Sequence, residues 1–168
     1  MPTMLEATLS EFREEAITTK RVLDRVPGDK LAWKPHAKSM SLGQLAWHIA
    51  TVPVRVARLS QMDQFDVSQR NFDVPSPKSV EEIHCAFEQS VRDAGEYLQT
   101  MTDQQAQQRW RLMRNDTELL NLTRLGVVRS IMLNHWYHHR GQLSVYLRML
   151  DVPVPAIYGR SAEEDAFA

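Results

Sequence analysis

The sequence predicts an all-α fold, a four-helix bundle with long crossover connections. Three observations predict it. Four amphipathic segments repeat apolar residues at helical spacing. Two of these segments open with a capping-box pair. Some of the polar connections are long enough to cross the bundle rather than turn straight back. At 168 residues the segments fit one domain, residues 1–168, with a core of its own.

The first helix is predicted over about residues 3–26, where Leu5, Leu9, Phe12, Ala16, Thr19, Leu23 and Val26 recur between charges. Pro27–Gly28 stops it. A linker with Trp33, Pro35 and His36 leads to a second helix near Ser41, which with Gln44 has capping-box spacing. Leu42, Leu45, Ile49 and Val52 form its stripe. Pro53 kinks it, and Val54, Val56, Ala57 and Leu59 continue the apolar character beyond. Residues 63–78 are polar and proline-bearing, as a crossover loop would be. Ser79 and Glu82 form another capping box and open a third helix to about Met101, with Val80, Ile83, Phe87, Val91 and Leu98 as its stripe. In residues 102–124, Trp110, Leu112 and Met113 alternate weakly, as in a short strand or extended loop turning near Asn115–Asp116. A fourth long helix is predicted from about Thr123 to Leu150. The tail DVPVPAIYGRS, with two prolines and a glycine, is extended.

Composition narrows the function. The chain is 43% hydrophobic and 24% charged, with a net charge of −1 and a pI near 6.6. There is no basic excess to neutralise phosphates, so nucleic acid is not an expected partner. The single cysteine, Cys85, forms no internal disulfide, which fits a reducing compartment. The N-terminus MPTMLEATLSEF carries acids and lacks the apolar core of a signal peptide. No apolar run approaches the roughly 20 residues that cross a bilayer. The expectation is a cytoplasmic protein with no membrane partner.

The stretch LNHWYHHRGQL carries three of the six histidines within five residues. On the fourth helix His135 and His139 share a face with Val128, Ile131, Met132, Leu143, Tyr146, Leu147 and Leu150. At i and i+4 their side chains sit one above the other and can offer nitrogens to one metal ion. His138 is less well aimed. His48 lies in the second helix's stripe, and His84 lies near the third's. Periodicity does not choose between them. A single histidine on an apolar face is most often a packing residue. Three histidines leaving one position open make a catalytic type of metal site, and bundle cores are a usual place for one. His36, in a loop, is read as solvated. The metalloprotease signature H-E-x-x-H is excluded, because Trp136, Tyr137 and His138 separate the pair and supply no glutamate.

The stretch LNHWYHHRGQLSVYLRMLDVPVPAIYG resembles the last helix and tail of the DinB family, also called the DinB/YfiT-like superfamily of metalloenzymes. SMSLGQLAWHIA resembles that family's second helix. The resemblance covers essentially the whole chain. Its most specific part is L-x-x-H in one helix with N-H-x-x-x-H-R-G-Q-L in the other. It implies a four-helix bundle, a homodimer and a three-histidine divalent-metal site, with His48, His135 and His139 as the ligands and His84 set aside. One departure is Arg160, where the family tail commonly reads Y-G-P-S.

Neighbouring residues have their own readings. Gly141, costly inside a helix by up to about 1 kcal/mol, is expected to let another helix approach closely. Gln142 is placed to accept a hydrogen bond from a ligating histidine. Arg140 is expected to pair with a carboxylate, within the fold or at a dimer contact. Trp136 and Tyr137 are read as packing residues, and Tyr158 as a cover for the site's mouth. An all-imidazole donor set suits zinc, nickel, copper or iron rather than magnesium or calcium. Three functions remain open. The first, favoured by the resemblance, is a stress or detoxification transferase, led by zinc or nickel, that activates a low-molecular-weight thiol against electrophilic small-molecule substrates. It predicts a cavity beside the metal with polar or basic walls. The second is a hydrolase using a metal-bound water, which needs a nearby carboxylate or histidine as base. The third is a non-catalytic metal-binding or interaction protein, with the fourth position blocked by His138 or the tail.

Overall fold

Thr3 opens the first helix, α1 (Met4–Leu23). Its hydroxyl accepts from the Glu6 N–H and the Glu6 carboxylate accepts from the Thr3 N–H, a complete capping box. The structure is a computed structural model that describes residues 3–165, apart from 70 and 72. The ends of the expected single domain, and those two positions of the expected crossover over 63–78, therefore lie outside the described residues. Ser41 and Gln44 cap α2 (Leu42–Ser60) reciprocally in the same way. At α3 (Val80–Thr100) only half of the expected box forms. Ser79 Oγ accepts from Glu82, while the Glu82 carboxylate takes the Lys78 N–H instead.

Pro53 sits inside α2. It has no N–H to give the carbonyl four residues back, and its ring crowds that turn. Neighbouring helices compensate on both sides. The Trp136 indole N–H donates to the Ile49 carbonyl at 2.9 Å, and the Val54 N–H donates to the buried Ser90 hydroxyl of α3 at 3.1 Å. Helix α2 is thereby fastened to both partners at the level of the site.

The all-α expectation is corrected. The molecule is mostly helical, but it carries a three-stranded sheet of β1 (Gln64–Asp66), β2 (Arg109–Arg114) and β3 (Thr117–Thr123), in that order. Strands β2 and β3 form an antiparallel hairpin turning at Asn115–Asp116, with Asn115 in the left-handed region at φ 51°. Strand β1 pairs parallel with β2, matching Phe65 to Leu112, with α3 in the crossover between them. A short helix, α4 (Asp103–Ala106), precedes the hairpin.

The fourth long helix is present, but in three pieces: α5 (Arg124–Val127), a π-helical turn over Val128–Leu133, and α6 (Asn134–Met149). The turn ends where the Asn134 N–H donates to the Arg129 carbonyl, five residues back. Helix α1 packs on α3 and α6, and α2 packs on α3, α6 and the π turn. At the centre Trp136 stacks on Phe12 with ring centroids 5.6 Å apart, and Phe87 lies beside it. The tail is extended, as expected. It returns along α1, where Glu164 pairs with Arg21 and Arg25, and Glu163 pairs with Arg148.

Candidate metal centre

Two stripes run side by side along α6, one buried and one at its border with solvent. Trp136, Arg140, Leu143 and Leu147 face the core. His135 and His139 follow the adjacent edge, beside α2. His48 precedes Ile49, whose carbonyl holds the Trp136 indole, and His135 precedes Trp136. One hydrogen bond between helices thus sets the height of His48 against His135.

The three imidazoles converge through their Nε2 atoms. His135 Nε2 lies 2.9 Å from His48 Nε2 and 3.0 Å from His139 Nε2. Among the described residues, these three form the one group of metal-ligating side chains whose donor atoms all lie within 4.8 Å of one another. Nitrogens about 3 Å apart match the spacing on one face of a coordination shell with bonds of about 2.0–2.1 Å. Gln142 Oε1 lies 2.7 Å from His139 Nδ1. An amide oxygen only accepts, so Nδ1 carries the proton and His139 Nε2 presents a lone pair to the cluster.

Electrostatics favour the neutral, ligand-ready form. Burial, then the neighbouring His139, His135 and Arg55, hold His48 down to about 3. Burial, followed by His139, His138 and Arg55, holds His135 down to about 4. His139 is lowered by burial, against the opposing bond to Gln142. Three neutral rings cannot all donate to one another across such short gaps. A divalent cation at the convergence of their lone pairs would satisfy them together, so the donor set fits a metal ion that takes imidazole ligands.

The remaining histidines lie apart. His84 faces Asp24 at 3.5 Å, on the side of α3 towards the end of α1. His36 Nδ1 accepts the Lys38 N–H in its loop. His138 is exposed, with its ring 4.9 Å from that of His139 but outside the cluster.

Two expectations for neighbouring residues fail. Gly141 faces open space: a Cβ there would meet nothing within 4 Å, so no helix approaches it. Tyr158 does not cover the site. Its hydroxyl bonds to Arg140 and to the Glu15 carboxylate, at 3.0 Å from the latter. Arg140 pairs within the fold, as one of its expected alternatives had it. It is buried against Glu15 at 2.6 Å and also donates to Thr19.

Beside the trio lies a cavity of about 260 Å³, with His48 and His135 in its wall. Its other walls come from α2, the end of α5, the π turn, the sheet and Val67 just after β1. Val127 and Ile131, eight and four residues before His135, line it while Val128, Met132 and Leu133 turn into the core. Polar or basic walls were expected: Arg55 and the two histidines supply them in part, and the other described lining residues are apolar. Sequence reasoning missed Phe65, Trp110, Leu112 and Arg55 as site residues. The available signals were the alternation in Trp110–Leu112 and the spacing of Arg55, seven residues after His48 on the same helix.

Comparison with known proteins agrees with the fold. The YrdA protein of Bacillus subtilis strain 168, itself uncharacterised, is 26% identical over 162 residues, covering 95% of this chain and 91% of that protein. The crystal structure of the DinB-like protein YjoA of Bacillus subtilis superposes with a TM-score of 0.69 at 19% identity, over 92% of this chain and 99% of that one. That of a DinB-like protein of Bacillus cereus ATCC 10987 gives a TM-score of 0.67 at 24% identity, over 91% and 97%. These two likenesses establish the fold. The sequence model of the DinB family matches residues 1–166, and the chain belongs to the DinB family.

Proposed function

We propose that His48, His135 and His139 hold a divalent zinc or nickel ion, and that the protein is a metal-dependent transferase joining a low-molecular-weight thiol to an electrophilic small molecule. The observation that carries this reading is the cavity bordered by His48 and His135, which leaves room for a reactant next to the three nitrogens. A bound ion there would supply Lewis acidity and favour the thiolate form of a sulfur nucleophile.

The chain's own residues do the rest. Gln142 holds the His139 proton on Nδ1 and keeps Nε2 directed inwards. Burial and Arg55 keep His48 and His135 neutral, so no proton competes for their lone pairs near neutral pH. The apolar walls lower the local dielectric and strengthen electrostatic contacts on the cavity side of the histidines. Hydrolysis is less well supported: among the described residues neither a carboxylate nor a histidine beyond the trio lines the cavity to serve as a base. Neither His138 nor Tyr158 enters the cluster, so neither supports the blocked, non-catalytic reading. The proposal includes a small-molecule partner and, from the family likeness, a homodimer. Among the described residues no helix is long and apolar enough to cross a membrane.

Elemental analysis of the purified protein, followed by metal titration of His139→Ala and His36→Ala, tests the site. The wild type and His36→Ala are expected to bind about one equivalent per chain, and His139→Ala to lose tight binding. Full occupancy in His139→Ala would overturn the ligand assignment. A panel of thiols and electrophiles then tests the reaction. Turnover that requires both the metal and a thiol supports transfer, and turnover without any thiol favours hydrolysis.

A further inference from the structure

The cavity beside the histidines also restricts what the electrophile can be. Its deep end is made by Val52, Val56, Trp110 and Val127, all buried. The sheet side is Phe65 and Leu112, direct neighbours across the parallel β1–β2 pairing. The one indole among these walls offers no donor to a ligand, because Trp110 Nε1 already donates to the Leu59 carbonyl at 3.0 Å. Among the described residues the polar side chains of the lining are His48, His135 and Arg55, which are half-buried or exposed and so lie nearer its mouth.

A polar molecule would lose its hydration in the deep end and regain no hydrogen bonds from these side chains. An apolar one would exchange water for close contacts. Size adds a limit. A cavity of about 150 Å³ holds benzene. In proportion, the volume of about 260 Å³ here holds an apolar body of about ten non-hydrogen atoms.

We infer that the small molecule taken by this site is a compact apolar or aromatic compound of about that size. It carries its one polar, reactive group at the end that meets His48, His135 and Arg55. His135 is solvent-exposed, so a polar thiol meets the histidines from the outer side while the apolar body occupies the cavity. The position of the reactive end rests on the metal-site reading. The preference for an apolar body does not.

Titration of the full chain, metal-free and zinc-loaded, with 2-naphthol and with glucose separates the two readings. Naphthol is expected to quench tryptophan fluorescence saturably in both forms and to bind at least about tenfold more tightly than glucose. Val56→Trp, which fills the deep end, is expected to lose that preference at least about tenfold while keeping the zinc stoichiometry of the wild type. Should Val56→Trp not fold by circular dichroism, Leu112→Asp on the half-exposed sheet wall replaces it, with the same loss expected. Equal binding of naphthol and glucose, or an unchanged preference in the folded variant, overturns the inference. Naphthol binding without any zinc binding upholds the apolar preference and overturns the metal reading instead.

Discussion

The Trp136 indole N–H donates to the Ile49 carbonyl at 2.9 Å, and Ile49 is the residue whose helical donor Pro53 has removed. The two residues flank the site: His48 precedes one and His135 precedes the other. A proline that would merely weaken an isolated helix here frees an acceptor for the neighbouring helix. The cost of the broken turn is offset by a buried bond between helices. That bond fixes the vertical register in which two of the three imidazoles meet.

Trp136→Phe should therefore leave the Ile49 carbonyl buried and unpaired, and destabilise the protein by about 1–3 kcal/mol from that group alone. In Pro53→Ala the backbone N–H returns and can serve the same carbonyl, so Trp136→Phe should cost less in that background. Urea midpoints of the two single variants and the double variant give the coupling, expected at about 1 kcal/mol. Additive costs would show that the indole and the proline do not act on a common acceptor.

Acid should weaken the metal-free protein earlier than its carboxylates explain. In the unfolded chain a histidine titrates near 6.5, whereas folding holds His48 down to about 3 and His135 to about 4. As pH falls below about 6.5 the unfolded state takes up protons that the folded state refuses. The stability present above that pH is therefore lost progressively from about 6.5 towards 4 and 3. Glu163, held down from 4.5 to about 2 chiefly by its hydrogen bond to Arg148, adds its own loss only from about 4.5 downwards towards 2. Urea midpoints between pH 7.5 and 5 consequently isolate the histidines. The double variant His48→Gln/His135→Gln should show a flatter profile than the wild type over that interval. Parallel profiles would remove the histidines as the cause.

The sequence carried the parts of this arrangement that rest on local chemistry. Ser41 caps its helix, and Gln142 reaches His139 from three residues away, because each signal lies within one turn. The convergence of His48 with His135 and His139 depended on the family resemblance, since periodicity left His84 equally placed. The sheet was not legible as a whole. Strand β1 has three residues, too few for a period, and pairs in parallel with a strand more than forty residues away. The π turn has no composition of its own. It separates Ile131, on the cavity, from Met132 and Leu133, in the core, where a regular helix was expected to keep Ile131 and Met132 on one face. Gly141 was misread because a glycine marks either close approach or exposure, and only the neighbouring chain decides between them.

The Arg140–Glu15 pair gives the last prediction. Arg140 follows His139 directly but faces the opposite neighbour, α1, where it is 1% exposed and meets Glu15, Thr19 and Tyr158. Taking two charges out of water is costly, and their mutual attraction with well-placed hydrogen bonds offsets that cost. Removing one partner leaves the other charge buried without compensation. Arg140→Met should thus destabilise the protein by about 3–5 kcal/mol. Arg140→Met/Glu15→Leu, which removes both charges, should recover much of the loss. In the folded fraction of either variant the zinc stoichiometry should match the wild type, because neither side chain contributes a donor to the histidine trio. Urea unfolding with parallel metal analysis reads both quantities. Loss of zinc from a folded Arg140→Met/Glu15→Leu variant would mean that this pair positions His139, and that the two faces of α6 are not independent.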